Sequence, residues 1–193
     1  NKRFLFKEYL GKSRRLFQGD KMIYEPAEDS YLLQKQVEKF IKKEMDVLDI
    51  GTGSGIQALT AKKQGANVIA ADINSECVTH INKLGIKTLQ SDLFENITGK
   101  FDLIIFNPPY LPEDEREPED SKLVTTGGKK GNEILARFLA GAKDYLKEDG
   151  KILIVFSSLT PDVDQLVEEN KFTFEKISEQ KIDFEKLIVY ELT

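Results

Sequence analysis

The run Asn107-Pro108-Pro109-Tyr110 follows directly on the apolar block Leu103 to Phe106, and its residue types define a binding chemistry. Two consecutive prolines remove two backbone donors and stiffen the chain. What remains displayed is carbonyl oxygens and the Asn107 side-chain oxygen, acceptors without competing donors that suit a substrate NH2 group. A planar, amide-like nitrogen is a poor nucleophile because its lone pair is delocalised. Hydrogen bonds from it to Asn107 and to the Pro108 carbonyl would aim its remaining electron density at an electrophile, while Tyr110 is available to stack on the planar group. Such catalysis rests on positioning and on stabilising charge as it develops, with no metal and no obligatory general base. A proline-rich strand exit without function is the alternative.

A second segment, Val47-Leu48-Asp49-Ile50-Gly51-Thr52-Gly53-Ser54-Gly55, is a buried strand that breaks into glycines where a helix must begin. Gly51 and Gly53 let a ligand approach the backbone closely, and the helix start offers free N–H groups. The spacing is G-x-G-x-G with Ile56 following, so the third glycine of a dinucleotide fingerprint is displaced, and a P-loop pattern is absent. Asp49 is poor company for a pyrophosphate but a sensible partner for a cationic ligand such as an aminoacyl sulfonium. Asp72 closes the next strand 21 positions after Gly51, where nucleoside-binding α/β sheets place a carboxylate on the ribose hydroxyls. Its plainer role would be the N-cap of the following helix. Asp92, in Ser91-Asp92-Leu93-Phe94, is placed to accept from an adenine amino group with Leu93 on the ring, or is another turn carboxylate.

These residues need a scaffold, and the apolar pattern supplies one. Short apolar blocks at 46–50, 67–72, 86–90, 101–106 and 151–156 alternate with helical spacing at 55–64, 74–84, 133–147 and 161–170. Blocks at 172–177 and 187–192 follow with no helix between them, which predicts an antiparallel hairpin closing a mostly parallel, seven-stranded sheet. Leu32, Leu33, Val37, Phe40 and Ile41 predict an amphipathic helix ahead of the first strand, introduced by Ala27-Glu28-Asp29-Ser30. The expected fold is a three-layer, Rossmann-like α/β sandwich. One domain is expected over 1–193, with an extension and helix in 1–45 and a catalytic core in 46–193.

The 193 residues suffice for one core without staples. Cys77 and His80 are the sole cysteine and histidine, which excludes a disulfide framework and a Cys/His zinc site; any metal would rest on carboxylates. No apolar run approaches the ~18 residues of a membrane span, and no signal sequence opens the chain, so a reduced cytoplasmic setting is expected. A net charge of −5 argues against a protein that coats phosphate backbones. Lys2, Arg3, Lys7, Lys12, Arg14 and Arg15 nonetheless make the amino terminus basic, and Glu113 to Asp120 is strongly acidic. Both read as solvated surface, or the basic arm touches RNA or a ribosomal factor.

Together the Asp49-to-Gly55 motif, Asp72, Asp92 and Asn107-Pro108-Pro109-Tyr110 resemble the HemK family of protein glutamine methyltransferases, from Tyr24 to the C-terminus. The four-residue loop is shared with amino-methylating DNA enzymes. Tyr24-Glu25-Pro26-Ala27-Glu28-Asp29-Ser30 and Gly127-Gly128-Lys129-Lys130-Gly131 resemble the archaeal and eukaryotic branch. The resemblance implies S-adenosyl-L-methionine as cofactor, contacted by Ser30, Asp49, Gly51, Asp72, Asp92, Leu93 and Asn107. It implies a class I release factor as substrate, methylated on the glutamine of a Gly-Gly-Gln tripeptide, and a small zinc-binding activator protein covering the sheet edge at 86–90. Bacterial members carry an N-terminal helical docking domain, whereas 45 residues precede the first strand here. An adenine-N6 DNA methyltransferase would use the same loop but needs a recognition segment and a basic cleft. Lysine methylation, a non-catalytic cofactor-binding module and a dinucleotide oxidoreductase complete the alternatives; binding of S-adenosyl-L-methionine but not NAD, followed by transfer, separates them.

Overall fold

The computed structural model describes residues 15–17, 22–113, 125–183 and 185–193. Two short strands, β1 (Arg15–Phe17) and β2 (Met22–Tyr24), pair antiparallel, a hairpin not foreseen in the sequence. Then come α1 (Glu28–Phe40), β3 (Asp46–Ile50), α2 (Ile56–Lys63), β4 (Asn67–Asp72), α3 (Ser75–Lys83), β5 (Lys87–Gln90) and β6 (Phe101–Phe106). The chain ends with α4 (Glu133–Ala142), β7 (Leu146–Ser157), α5 (Val163–Glu169), β8 (Phe174–Ile182) and β9 (Glu185–Leu192). The last seven strands form one sheet of order β5-β4-β3-β6-β7-β9-β8. It is parallel as far as β7, and β9 and β8 then add antiparallel. The expected three-layer α/β fold with its C-terminal hairpin is what the chain adopts.

Period-two alternation divides the sheet's side chains between two cores. Leu48, Ile50, Ile104, Phe106, Ile152 and Ile154 face α4 and α5, meeting Leu135, Phe138, Leu139 and Val167. Val47, Leu103, Ile105, Leu153 and Val155 face the opposite way, onto Leu32, Leu33 and Val37 of α1. Burial on both faces is why the central strands read as unbroken apolar runs. Between β5 and β6 the chain makes turns in place of a crossover helix, and Phe94 and Ile97 fill the layer there.

Three boundaries differ from expectation. The helix predicted over 133–147 stops at Ala142, passes through a 3-10 turn (Lys143–Tyr145) and gives way to β7 at Leu146. Leu146 pairs with Phe101 at the start of the sheet, and the Lys147 amine binds Asp46 at 2.7 Å and Asp102 at 2.8 Å there. Strands β8 and β9 extend towards each other beyond 172–177 and 187–192, because Ser178 to Lys181 lie on an outer strand whose polar side chains face solvent and pair, as Lys186 does with Glu179. Helix α5 is shorter than 161–170, since Asp162 before it is left-handed at φ 58°.

An aromatic column links α4 to the sheet. Phe138 stacks on Phe106 at 4.3 Å and on Phe94 at 5.3 Å between centroids, and Phe94 stacks on Tyr145 at 4.6 Å. Phe138 is fully buried, so Phe138→Ala is expected to cost about 3–5 kcal/mol. Urea unfolding checks this, and a loss below about 1 kcal/mol would mean that the column closes over the gap.

Candidate active site

The pairing Ile50↔Phe106 sets β3 and β6 level at their carboxyl ends. The chain therefore leaves the sheet at Gly51 and at Asn107 side by side. A cleft of about 1030 Å³ opens there, lined by Asp49 to Ser54, Asp72 to Ser75, Gln90 to Leu93, Phe106 to Leu111 and the start of α1. This is where α/β sheets bind ligands, outside their carboxyl edge at the point where strand order reverses. All the sequence-predicted site residues line it: Ser30, Asp49, Gly51, Gly53, Asp72, Asp92, Leu93, Asn107, Pro108 and Tyr110.

The glycine loop is held from both sides by carboxylates. Asp49 Oδ2 accepts from the Thr52 hydroxyl at 2.6 Å and from the Ala58 N–H at 3.1 Å, joining the loop to α2. Asp72 Oδ2 accepts from the Gly53 N–H at 2.8 Å, and its Oδ1 accepts from the Asn74 N–H at 2.9 Å. Asn74, not Asp72, caps α3, taking the Glu76 N–H at 2.9 Å. Gly55 has φ 80°, and a Cβ there would lie 2.3 Å from Ile81 Cδ1, so the third glycine is required by helix packing. Asp92 is paired with Arg137 of α4 at 2.8 Å, a partner that its isolated position in the sequence does not reveal. Leu93 adopts φ 49°, which turns the chain beneath the cleft.

The acceptor loop is anchored in its turn. The Asn107 Nδ2 group donates to the Ser30 hydroxyl at 3.4 Å, and that hydroxyl donates in turn to the Asp29 carboxylate at 3.1 Å. The Asn107 Oδ1 atom is buried and has no hydrogen-bond partner. Tyr110 is buried, its ring joins the α1-side core, and its hydroxyl donates to Asp29 Oδ2 at 3.0 Å. The segment after the acidic stretch braces the prolines: Leu111 bridges to Thr126, and the Gly127 N–H donates to the Leu111 carbonyl at 2.9 Å. A Cβ on Gly127 would stand 2.6 Å from the Pro109 carbonyl, so only glycine permits this approach. Glu133 accepts from the N–H groups of Lys130, Gly131 and Asn132 and pins the far end. Sequence reasoning missed Asp29, Arg137 and Glu133, and also Gln57, which lines the cleft and donates from Nε2 to the Ser30 carbonyl at 2.9 Å. The signal for the first was its place on the inward face of α1, four residues before Leu33.

Acidic side chains outnumber basic ones in the cleft, where Asp29, Asp49, Asp72, Asp92 and Glu113 stand with Lys129 and Arg137. Burial pushes the Asp49 carboxyl up to about 7 and raises Asp29 and Asp72 as well. None of the three forms an ion pair with a described residue. Such a wall repels pyrophosphate and favours a cationic ligand, and a glycine loop open to close approach completes a set that fits a nucleoside carrying positive charge. Among the described residues no His, Cys, Asp and Glu cluster is arranged for a metal, and no helix is long and apolar enough to cross a membrane. Glu113 is described, but the rest of the acidic stretch and Lys2 to Arg14 lie outside the described residues.

Residues 28–184 match the family model of the methyltransferase small domain, and the chain belongs to that family. A Methanocaldococcus jannaschii protein named as a candidate protein N5-glutamine methyltransferase is 43% identical over 86% of this chain and 89% of its own. Methyltransferase HEMK2 of Homo sapiens is 32% identical over 69% of this chain and 71% of its own. One chain of the E. cuniculi Mtq2-Trm112 complex, which is described as responsible for methylation of the eRF1 translation termination factor, superposes with TM-score 0.73. It is 25% identical and covers 88% of this chain and 97% of its own. Within its class the chain is thus a HemK-type protein N5-glutamine methyltransferase, and its cofactor is S-adenosyl-L-methionine.

Asp49 also gives a pH signature. Its folded carboxyl keeps a proton to about pH 7, whereas the unfolded group releases it near the ordinary 3.8. The native state then binds more protons between these values, so this group's contribution to stability falls as pH rises from about 4 to 7. Asp49→Asn should therefore gain stability relative to the parent on going from about pH 5 to 8, read by urea unfolding without cofactor. A pH-independent difference would return Asp49 to ordinary titration.

Proposed function

We propose that this protein methylates the side-chain amide of the glutamine in the Gly-Gly-Gln tripeptide of a class I translation release factor. The buried, unpartnered Asn107 Oδ1 beside Pro108 carries the reading. It is an acceptor whose donor edge is already used, set where a substrate NH2 would enter. The relatives support the substrate class, since the E. cuniculi complex is described as acting on a termination factor.

In this reading Ser30, Asp49, Gly51, Gly53, Asp72, Asp92, Leu93 and Asn107 hold S-adenosyl-L-methionine. The cofactor supplies a methyl group on a positively charged sulfur. Asp72, with both oxygens oriented by backbone N–H groups, retains lone pairs for ribose hydroxyls. Asn107 Oδ1 and the Pro108 carbonyl take the two amide protons of the glutamine and orient its nitrogen. Tyr110 walls the cleft. Pro108 and Pro109 offer no N–H that would compete for the glutamine carbonyl. The continuous sheet supports one catalytic domain over 1–193. The four-residue edge strand β5, flanked by exposed Ile73 and Leu84, is the proposed seat of a small zinc-binding activator protein. The setting is cytoplasmic, where release factors act. The three buried carboxylates disfavour a DNA substrate.

The test is transfer of label from S-adenosyl-L-methionine to a recombinant class I release factor, with and without activator, beside a control whose Gly-Gly-Gln glutamine is replaced. Label lost in the control supports the reading; label retained there rejects it. Asn107→Ala should lower transfer by about two to three orders of magnitude with a smaller effect on cofactor affinity, and undiminished turnover would remove its role. Asp72→Ala should weaken cofactor binding by about 1.5–3 kcal/mol, measured by calorimetry; unchanged binding would leave Asp72 a brace for the glycine loop only.

A further inference from the structure

We infer that Asp29 is a positioning residue that fixes which edge of the Asn107 carboxamide faces the acceptor, a role that rests on the proposed grip of Asn107 on the substrate NH2. A carboxamide has a donor edge and an acceptor edge of nearly the same shape, and a half-turn about its last bond exchanges them. Only the chain's own hydrogen bonds decide between the two.

Asp29 is buried in the first turn of α1, where the helix dipole favours an anion. Three donors converge on it: the Ser30 N–H at 2.5 Å, the Ser30 hydroxyl at 3.1 Å and the Tyr110 hydroxyl at 3.0 Å. An ionised carboxylate only accepts, so each neighbour must turn a proton towards it. The effect on Asn107 runs through Ser30. The Ser30 hydroxyl, having spent its proton on Asp29, presents only lone pairs to Nδ2. A flipped amide would set Oδ1 against those lone pairs, acceptor facing acceptor. The free edge is therefore Oδ1, the buried atom left without a partner. Nothing in this arrangement places Asp29 against the substrate, and it acts through Asn107.

Asp29→Asn keeps the shape but can donate to the Ser30 hydroxyl, which frees that hydroxyl's proton for Oδ1 and removes the preference. At saturating cofactor, kcat should fall at least about tenfold, while cofactor affinity by calorimetry changes less than about threefold. The independent readout is the Asn107 side-chain NH2 signal in 15N-labelled, cofactor-free protein, assigned by its loss in Asn107→Ala. In the parent it should be slow to exchange with water, and in Asp29→Asn it should shift and exchange faster. A kcat within about twofold of the parent, or an unmoved signal, overturns the inference. Should Asp29→Asn not fold, the parent alone decides: exchange as fast as in a free amide overturns it, and protection supports it. If Asn107→Ala itself retains transfer, the proposed grip fails; if that variant is dead and Asp29→Asn is fully active, only the role of Asp29 fails.

Discussion

Ile50 pairs with Phe106 across two parallel strands, and much of the molecule follows from that register. Parallel strands exit on the same side of a sheet, so a shared final rung brings a glycine turn and an asparagine together although Gly51 and Asn107 are 56 positions apart. A slip of one residue would invert the side chains of β6 and send Phe106 to the α1 face. The apolar residues on both faces prevent it: Ile104 and Phe106 pack under α4, Leu103 and Ile105 under α1. Packing remote from any ligand thereby sets the distance between the glycine turn and the acceptor loop.

The cleft also concentrates a cost. Three carboxylates lie buried around it, each raised by loss of water and none ion-paired with a described residue. Uncompensated buried charge opposes folding. Here it is relieved by hydrogen bonds from backbone N–H and hydroxyl groups, with the two hydrophobic layers offsetting the remainder. Residual negative potential in a partly dry cavity is what a positively charged ligand needs, because such attraction is strong where water is scarce. Stability and affinity therefore pull in opposite directions at Asp49 and Asp72.

The parts legible in the sequence were those fixed by local pattern. Central strands such as 101–106 announced themselves because both faces are buried, and the Gly51-to-Gly55 and Asn107-to-Tyr110 segments because glycine and proline act through the backbone. Long-range partnership was hidden. Asp29 gains its meaning from Tyr110, 81 positions away, and Asp92 its cation from Arg137, 45 positions away. The expected helix through Lys147 fell short for the same reason: Leu146 pairs with Phe101, 45 positions away, and Lys147 binds Asp46 and Asp102, 101 and 45 positions away. Tyr110, read as a stacking surface, has its ring in the core and its hydroxyl on a carboxylate, which no local pattern discloses.

Gly51, Phe106 and Phe138 touch in sequence from the cleft to α4. A methyl group on Gly51 would rest on the Phe106 ring at 3.5 Å, an ordinary contact, but the turn at φ 61° strains any side chain there, and Phe138 is stacked behind the ring. A smaller residue at 106 would not relieve the backbone strain at 51, but it would leave 138 without its partner. Position 51 is thus held to glycine by its own backbone, whereas 106 and 138 are coupled by contact: in a directed-evolution library the first should stay fixed and the other two vary together.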